Sequence, residues 1–182
     1  FCLMSVPALG QAADWPTYQH DYARSGVARE SLLTPFTAGW VHRSPHAPRP
    51  AWRGEAKWDG YNKVYDMKSR QIFDYAYHPV IADGLLYFGS SADDKVYCLD
   101  AATGALRWTW NPIPRAGEPG VETWLDNSWE YSGMANVWTM MSADEELGLV
   151  YLPTGAPSND MYGGHRPGNN LYANSLVCVR AD

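Results

Sequence analysis

The stretch from Tyr77 to Trp110, "YHPVIADGLLYFGSSADDKVYCLDAATGALRWTW", decides the fold. Short apolar runs rich in Val, Ile, Leu, Tyr and Trp are broken three times by turn residues, the pattern of strands joined tightly. Asp83-Gly84 suits a two-residue hairpin turn, because glycine accepts positive φ. Asp93-Asp94-Lys95 makes a second turn, and Ala101 to Gly104, "AATG", a third, with Gly104 at a left-handed position. Four antiparallel strands in about 35 residues match one blade of a β-propeller. A complete blade is therefore predicted at about residues 76–110.

The pattern returns further along the chain. "ANVWTMMSADEELGLVYLPTG" (Ala135 to Gly155) predicts two strands around an acidic turn at Asp144 to Gly148, and "NSLVCVRAD" (Asn174 to Asp182) predicts a third. An incomplete blade is expected over about residues 135–182. Its second and third strands are separated by a long run of Gly, Pro, Asn and Asp, "APSNDMYGGHRPGNN". Loops beyond about 12–15 residues are uncommon in compact domains unless they are functional or disordered. This one is expected to lie at a binding site, shaped by Gly163, Gly164 and Gly168. The second blade stops where its Thr-Gly turn and fourth strand are due, and a propeller buries its faces only with several blades. The chain thus reads as the N-terminal part of a larger protein. Residues 14–75 carry turn residues and aromatics with little periodicity, and read as extended segments and loops.

Composition agrees with an all-β class. The chain has 182 residues, 46% of them hydrophobic, with nine Trp and twelve Tyr. That is enough apolar material for a core and is the aromatic bias of strands. The net charge is −6 and the basic residues are scattered, which leaves no electrostatic footprint for nucleic acid. The opening "FCLMSVPALGQAA" joins an apolar run to small residues, as at the end of a secretory signal; residues 1–13 are read as a signal-peptide remnant of an exported, periplasmic or envelope protein. A buried N-terminal strand is the alternative. Cys98 and Cys178 hold matching places in two strands and are expected to be buried, unpaired thiols. His20, His42 and His46 show no zinc-site spacing.

At "GSSADDKVYCLDAATGALRW" the sequence resembles the repeat of pyrroloquinoline quinone (PQQ)-type β-propellers, with Asp100, Thr103, Gly104 and Trp108 in its Asp-x-x-Thr-Gly-x-x-x-Trp signature. In this pattern Gly104 permits the turn and Trp108 docks between blades. The signature marks a fold rather than an activity, since non-catalytic envelope scaffolds share it. "ANVW", "GLVYLPTG", "YGGHRPG" and "NLYANSLV" resemble membrane-associated quinoprotein glucose-type dehydrogenases more specifically.

The resemblance implies an all-β, eight-bladed propeller, residues 14–182 being its N-terminal part, which holds PQQ with a divalent metal, Ca²⁺ or Mg²⁺. It implies oxidation of a sugar or alcohol, with electrons passing to a quinone or cytochrome, and it leaves membrane association of the full-length protein open. Trp138 matches the tryptophan that lies against PQQ; a blade-docking role like that of Trp108 is the alternative. Ser90, Ser91 and Ser158 are the remaining PQQ-contact candidates, together with Arg166; His165 and Arg166 either contact the PQQ carboxylates or a substrate, or hold the loop by hydrogen bonds. Asp93 and Asp94 are the metal candidates, or else a plain solvated turn. Ala156 stands where related alcohol dehydrogenases place a metal-binding Asn. Either neighbours such as Ser158 hold the metal or its binding is weakened. The catalytic base is expected after Asp182. A non-catalytic exported propeller, used for protein binding or envelope assembly, is the competing function.

Overall fold

The computed structural model describes residues 13–28, 30–31, 34–35, 38–45, 56–59, 64–67, 78–158 and 160–182. The signal-sequence reading, apart from Ala13, lies outside the described residues, as do Cys2, His46 and Asn159. Among the described residues the regular structure is nine β-strands and three short 3-10 helices. β1 (Ala56–Asp59) and β2 (Val64–Met67) form an antiparallel pair that the weak periodicity of residues 14–75 did not announce. β3 (Val80–Ala82), β4 (Leu85–Ser90), β5 (Lys95–Asp100) and β6 (Leu106–Trp110) form one sheet in sequential order. β7 (Ser142–Asp144), β8 (Leu149–Pro153) and β9 (Leu176–Arg180) form a second. All pairings are antiparallel. These are the four-stranded and three-stranded sheets that the turn pattern predicts, and the fold is all-β.

The turns follow local chemistry. Asp83 and Gly84 both take positive φ, 49° and 73°, as a tight hairpin turn matching the strand twist requires. In the Asp-x-x-Thr-Gly turn, Asp100 Oδ1 accepts hydrogen bonds from the Thr103 backbone N–H at 2.9 Å and its hydroxyl at 2.8 Å. Asp100 Oδ2 accepts one from Arg107 at 2.7 Å. A Cβ on Gly104 would lie 2.5 Å from the Trp40 ring, whose indole N–H donates to the Ala101 carbonyl at 3.0 Å. The signature therefore encodes a self-bonded turn with an indole laid over its glycine.

The Arg107 guanidinium, together with the Thr103 bonds, pulls the Asp100 carboxyl down to about 2. A carboxyl depressed in the folded state stabilises above its ordinary value and loses that contribution as pH falls through the folded one. Wild type should thus resist urea better than Asp100→Asn at pH 6, and the gap should shrink progressively below pH 4. A gap independent of pH would contradict the assigned cause.

Both faces of β4 and β5 are covered, which explains why "VYCL" is apolar without alternation. One face supplies Tyr87, Val96 and Cys98 to a core shared with Val150 and Leu152 of the second sheet and with Val137 and Met141 of the segment before it. The other face stacks Phe88 on Tyr97, ring centroids 5.2 Å apart, under Trp40 and His42. Trp108 packs against the shared core and donates its indole N–H to the Ala181 carbonyl at 3.1 Å; Tyr87 donates its hydroxyl to the same oxygen at 3.2 Å. Trp108 thus docks one sheet on the next, as expected. Near the chain start, Trp15 exchanges backbone hydrogen bonds with Ile81 of β3, and Pro16 accepts one from Ala143 of β7. One segment therefore bridges the first strands of both sheets, β3 and β7. The cysteine expectation is half corrected: Cys98 is buried, but Cys178 is exposed, because alternate residues of β9 (Leu176, Cys178, Arg180) face outward.

Candidate functional site

The long loop between β8 and β9 is fixed by the segment that precedes the second sheet. Trp124, only 2% exposed, donates its indole N–H to the Leu171 carbonyl. The Leu125 N–H donates to Pro167, and the Asn170 N–H to Thr123. Gly168 takes φ 101°, and a Cβ there would sit 2.2 Å from the Thr123 carbonyl oxygen. Of the three glycines expected to shape the loop, Gly168 is the one with positive φ; Gly163 and Gly164 belong to a 3-10 turn with His165. The segments 111–131 and 154–175 thus form one layer over a small core of Ile113, Trp124 and Ala135.

At the edge of this layer the two blades meet. Gly133 lies between them: a Cβ there would be 3.5 Å from Asp94 Oδ2 and 3.9 Å from Ser158 Oγ. The Ser158 N–H donates to the Gly133 carbonyl at 2.9 Å, and the Gly133 N–H to the Ser158 hydroxyl at 3.2 Å. Asp94, at φ 54°, accepts the Met134 N–H. Asp93 accepts the Tyr97 hydroxyl at 2.5 Å, and its other oxygen is buried with no hydrogen-bond partner among the described residues. The hydroxyl of Ser90, a residue 1% exposed, is in the same state. Buried polar atoms are normally paired, so both are exceptions among the described residues, and both lie beneath the surface of this corner. Ser91 is half-buried at the start of the turn.

Trp138 arrives at this corner by a close crossing of backbones. A Cβ on Gly89 of β4 would fall 2.0 Å from the Val137 carbonyl oxygen, so only glycine admits the crossing. Val137 and Met141 are buried in the shared core, while Trp138 between them is 65% exposed. The edge of its indole rests on Gly155, where a Cβ would lie 3.1 Å from Nε1. Its exposure contrasts with the docked Trp108.

Arg166 is half-buried and donates to Asn170 Oδ1 at 2.9 Å within its own loop. Arg115 carried no sequence signal; its charge acts on Asp94 and its guanidinium donates to the Trp129 carbonyl at 3.5 Å. Burial pushes the Asp94 carboxyl above its ordinary range and Asp93 adds to the shift, against the Met134 N–H and Arg115. Asp94→Asn keeps an acceptor for Met134 and removes the charge, so it should raise the melting temperature at pH 7. Because the folded value is raised, the carboxylate costs stability only when ionised. The advantage of the Asn variant should vanish as pH falls below about 4; an Asn variant less stable at pH 7 would refute it.

A metal fits this corner less well than a planar cofactor. Among the described residues no three His, Cys, Asp or Glu side chains gather. Two adjacent carboxylates fall short of the about six to eight oxygens that Ca²⁺ takes, and the Ala156 side chain supplies none. The described residues do not by themselves make the divalent-metal site that the resemblance implies. The corner offers instead an open indole beside the hydroxyl-bearing Ser91 and Ser158, a flat apolar face with polar partners.

A four-stranded and then a three-stranded antiparallel sheet, docked through the tryptophan of an Asp-x-x-Thr-Gly-x-x-x-Trp turn, define a β-propeller protein. The family model described as "PQQ: Glucose/ethanol/alcohol dehydrogenase, beta-propeller domain" matches residues 89–182, just over half of the chain. The chain belongs to this family of quinoprotein dehydrogenase propellers. It is 32% identical over 117 residues to a quinohemoprotein alcohol dehydrogenase of Pseudomonas putida, covering 57% of the chain and 16% of that protein. To the quinoprotein glucose dehydrogenase of Escherichia coli it is 30% identical over 116 residues, covering 57% and 14%. To the quinate/shikimate dehydrogenase (quinone) of Acinetobacter baylyi it is 29% identical over 119 residues, covering 60% and 14%. The matched part is thus about one seventh of these relatives' length. The crystal structure of quinohemoprotein alcohol dehydrogenase from Comamonas testosteroni aligns with a TM-score of 0.46 at 22% identity, over 66% of this chain and 21% of that one.

Proposed function

We propose that the chain belongs to a PQQ-dependent dehydrogenase of sugars or alcohols and provides one wall of its cofactor site. The observation that carries this reading is the open face of Trp138, held on Gly155 within the family-matched residues while Val137 and Met141 are buried. The chemistry PQQ supplies when bound is hydride acceptance from an alcohol carbon. This chain's part is to bind and orient. Trp138 shields one ring face from water; Ser90, Ser91 and Ser158 offer hydroxyls, and Arg166 a guanidinium, toward carboxylates and carbonyls. Asp93 and Asp94 are the carboxylates nearest to serving a divalent metal, with further donors needed. None of the residues present is assigned as the base. The wider reading comprises residues 14–182 as part of one eight-bladed propeller, blades at about 76–110 and 135–182, an exported protein, and a quinone or cytochrome as acceptor. It rests on the family relationship. Among the described residues no helix is long and apolar enough to cross a membrane.

Ala156 and the incomplete donor set favour a second reading, a non-catalytic exported propeller that binds protein. Equilibrium dialysis of the chain against PQQ separates the two. Saturable retention near one equivalent supports the cofactor wall, and no retention above a blank protein favours the second reading.

A further inference from the structure

The segment from Ala13 to Thr17 is built into the fold. Trp15 exchanges backbone hydrogen bonds with Ile81 at 2.7 and 2.9 Å, the Pro16 carbonyl accepts the Ala143 N–H at 2.8 Å, and Thr17 is 1% exposed. Just ahead of these contacts the Ala13 N–H donates to the Glu30 carboxylate at 2.5 Å, and both residues are exposed. A backbone amide is neutral, so Glu30 gains a hydrogen bond from it and no countercharge. The surroundings are acidic as well. Ile81 lies beside the Asp83 turn and Ala143 beside Asp144. Burial, then the Asp14, Asp144 and Asp83 carboxylates, push the Glu145 carboxyl above its ordinary range. A positive charge at Ala13 would thus stand against Glu30 and beside this acidic group, which Asp14, its neighbour in the chain, joins.

The sequence offers a route to such a charge. Gly10-Gln11-Ala12 puts small residues third from last and last before the Ala12–Ala13 bond, the pattern that a signal peptidase cuts. A cut one residue later would place Gln11 in the third position and discard the residue bonded to Glu30. We infer that the Ala12–Ala13 peptide bond is the processing site and that Glu30 receives the new N-terminus as an ion pair. This rests on the exported reading above, and it keeps Ala13 in the mature chain rather than in the signal remnant. Water is the co-reactant: its hydroxyl goes to the Ala12 carbonyl carbon and its proton to the Ala13 nitrogen. At neutral pH the new carboxyl then releases a proton and the new amine takes one up, so charge balances. The single neutral N–H donor becomes an ammonium with three. Its bond to Glu30 becomes charge-assisted, roughly twice as strong as the neutral one. The mature N-terminus is thereby moored at Glu30, immediately ahead of the Trp15–Pro16 bridge between β3 and β7.

The test uses the full-length protein isolated from the cells that make it, as wild type and as Glu30→Gln. Mass spectrometry of the amino-terminal peptide should give Ala13 as the first residue. An amine-directed active ester, which consumes only the uncharged form, then reads the contact. The Glu30 carboxylate favours the ammonium and so raises the pH at which the amine loses its proton. Wild type should therefore label about two- to fivefold more slowly than Glu30→Gln at pH 8, as for an exposed ion pair. The two rates should converge by about pH 10, where both amines are uncharged. Glu30→Gln keeps an acceptor and lies on the surface, so the fold should persist. Equal labelling at pH 8 would overturn the ion pair. An exported protein that starts at any other residue would overturn the processing site and leave the exported reading intact. An uncleaved protein retained in the cytoplasm would remove the exported reading, and this inference with it.

Discussion

Gly89→Val is expected to destabilise this protein more than any other single change considered. In the folded chain a Cβ at this position would lie 2.0 Å from the backbone oxygen of Val137. The obstacle is main chain on both sides, so no rotamer change relieves it. Val137 is itself 4% exposed and belongs to the core between the two sheets, so moving it opens that core. Overpacking of this severity costs roughly 3 kcal/mol or more. For a chain of this length that corresponds to a fall in melting temperature of roughly 6–12 °C. Gly39→Ala is the control, because nothing lies within 4 Å of its Cβ position and its φ is ordinary; it should change stability little. Thermal unfolding followed by circular dichroism reads both. Equal melting temperatures for the two variants would mean that the 135–138 segment does not cross β4 as described.

The second large effect concerns binding. Trp138→Ala should weaken PQQ binding by about 10- to 100-fold, the equivalent of the roughly 1–3 kcal/mol that stacking a planar heterocycle on an aromatic side chain contributes. Stability should fall only slightly, since the indole is 65% exposed and touches the protein through its edge on Gly155. Trp108→Ala should behave in the opposite way. Its ring packs on the core shared by the sheets and its N–H is bonded to Ala181, so stability falls while PQQ affinity at Trp138 changes little. The alternative role for Trp138, docking one blade on another, predicts the reverse of both results. Measuring affinity and melting temperature on the same two variants separates them.

The parts of the fold legible in the sequence are those specified within a few residues. Asp83-Gly84 and the Asp100-to-Gly104 turn carry their hydrogen bonds and positive φ locally, so the turn chemistry announces them. The strands between them follow once the turns are placed. What the sequence did not announce depends on contacts distant along the chain. Trp40 covers Gly104, and Trp15 and Pro16 join β3 to β7, from a region without periodicity. The 3-10 helices Val121–Thr123 and Leu125–Glu130 are held by bonds to residues 167–171, and "VETWLDNSWE" shows neither helical nor strand spacing.

The site was legible unevenly for the same reason. Trp138 was singled out through resemblance, yet its exposure depends on Gly89 and Gly155, which fix the backbone at either side of it. Asp93 and Asp94 form the expected turn, but Tyr97 and Met134 engage them, so the turn is not simply solvated. Arg115 lies between β6 and β7, in a stretch to which the turn pattern assigned no strand. Cys178 matched Cys98 in pattern but not in burial, because β9 turns that face outward.

The most direct test of the central claim is a crystal structure of the chain with PQQ bound. The ring system should lie flat against the Trp138 indole, with its polar groups toward Ser90, Ser91 and Ser158. A ring bound elsewhere with Trp138 still bare, or a Trp138 side chain buried against a neighbouring blade, would contradict the account.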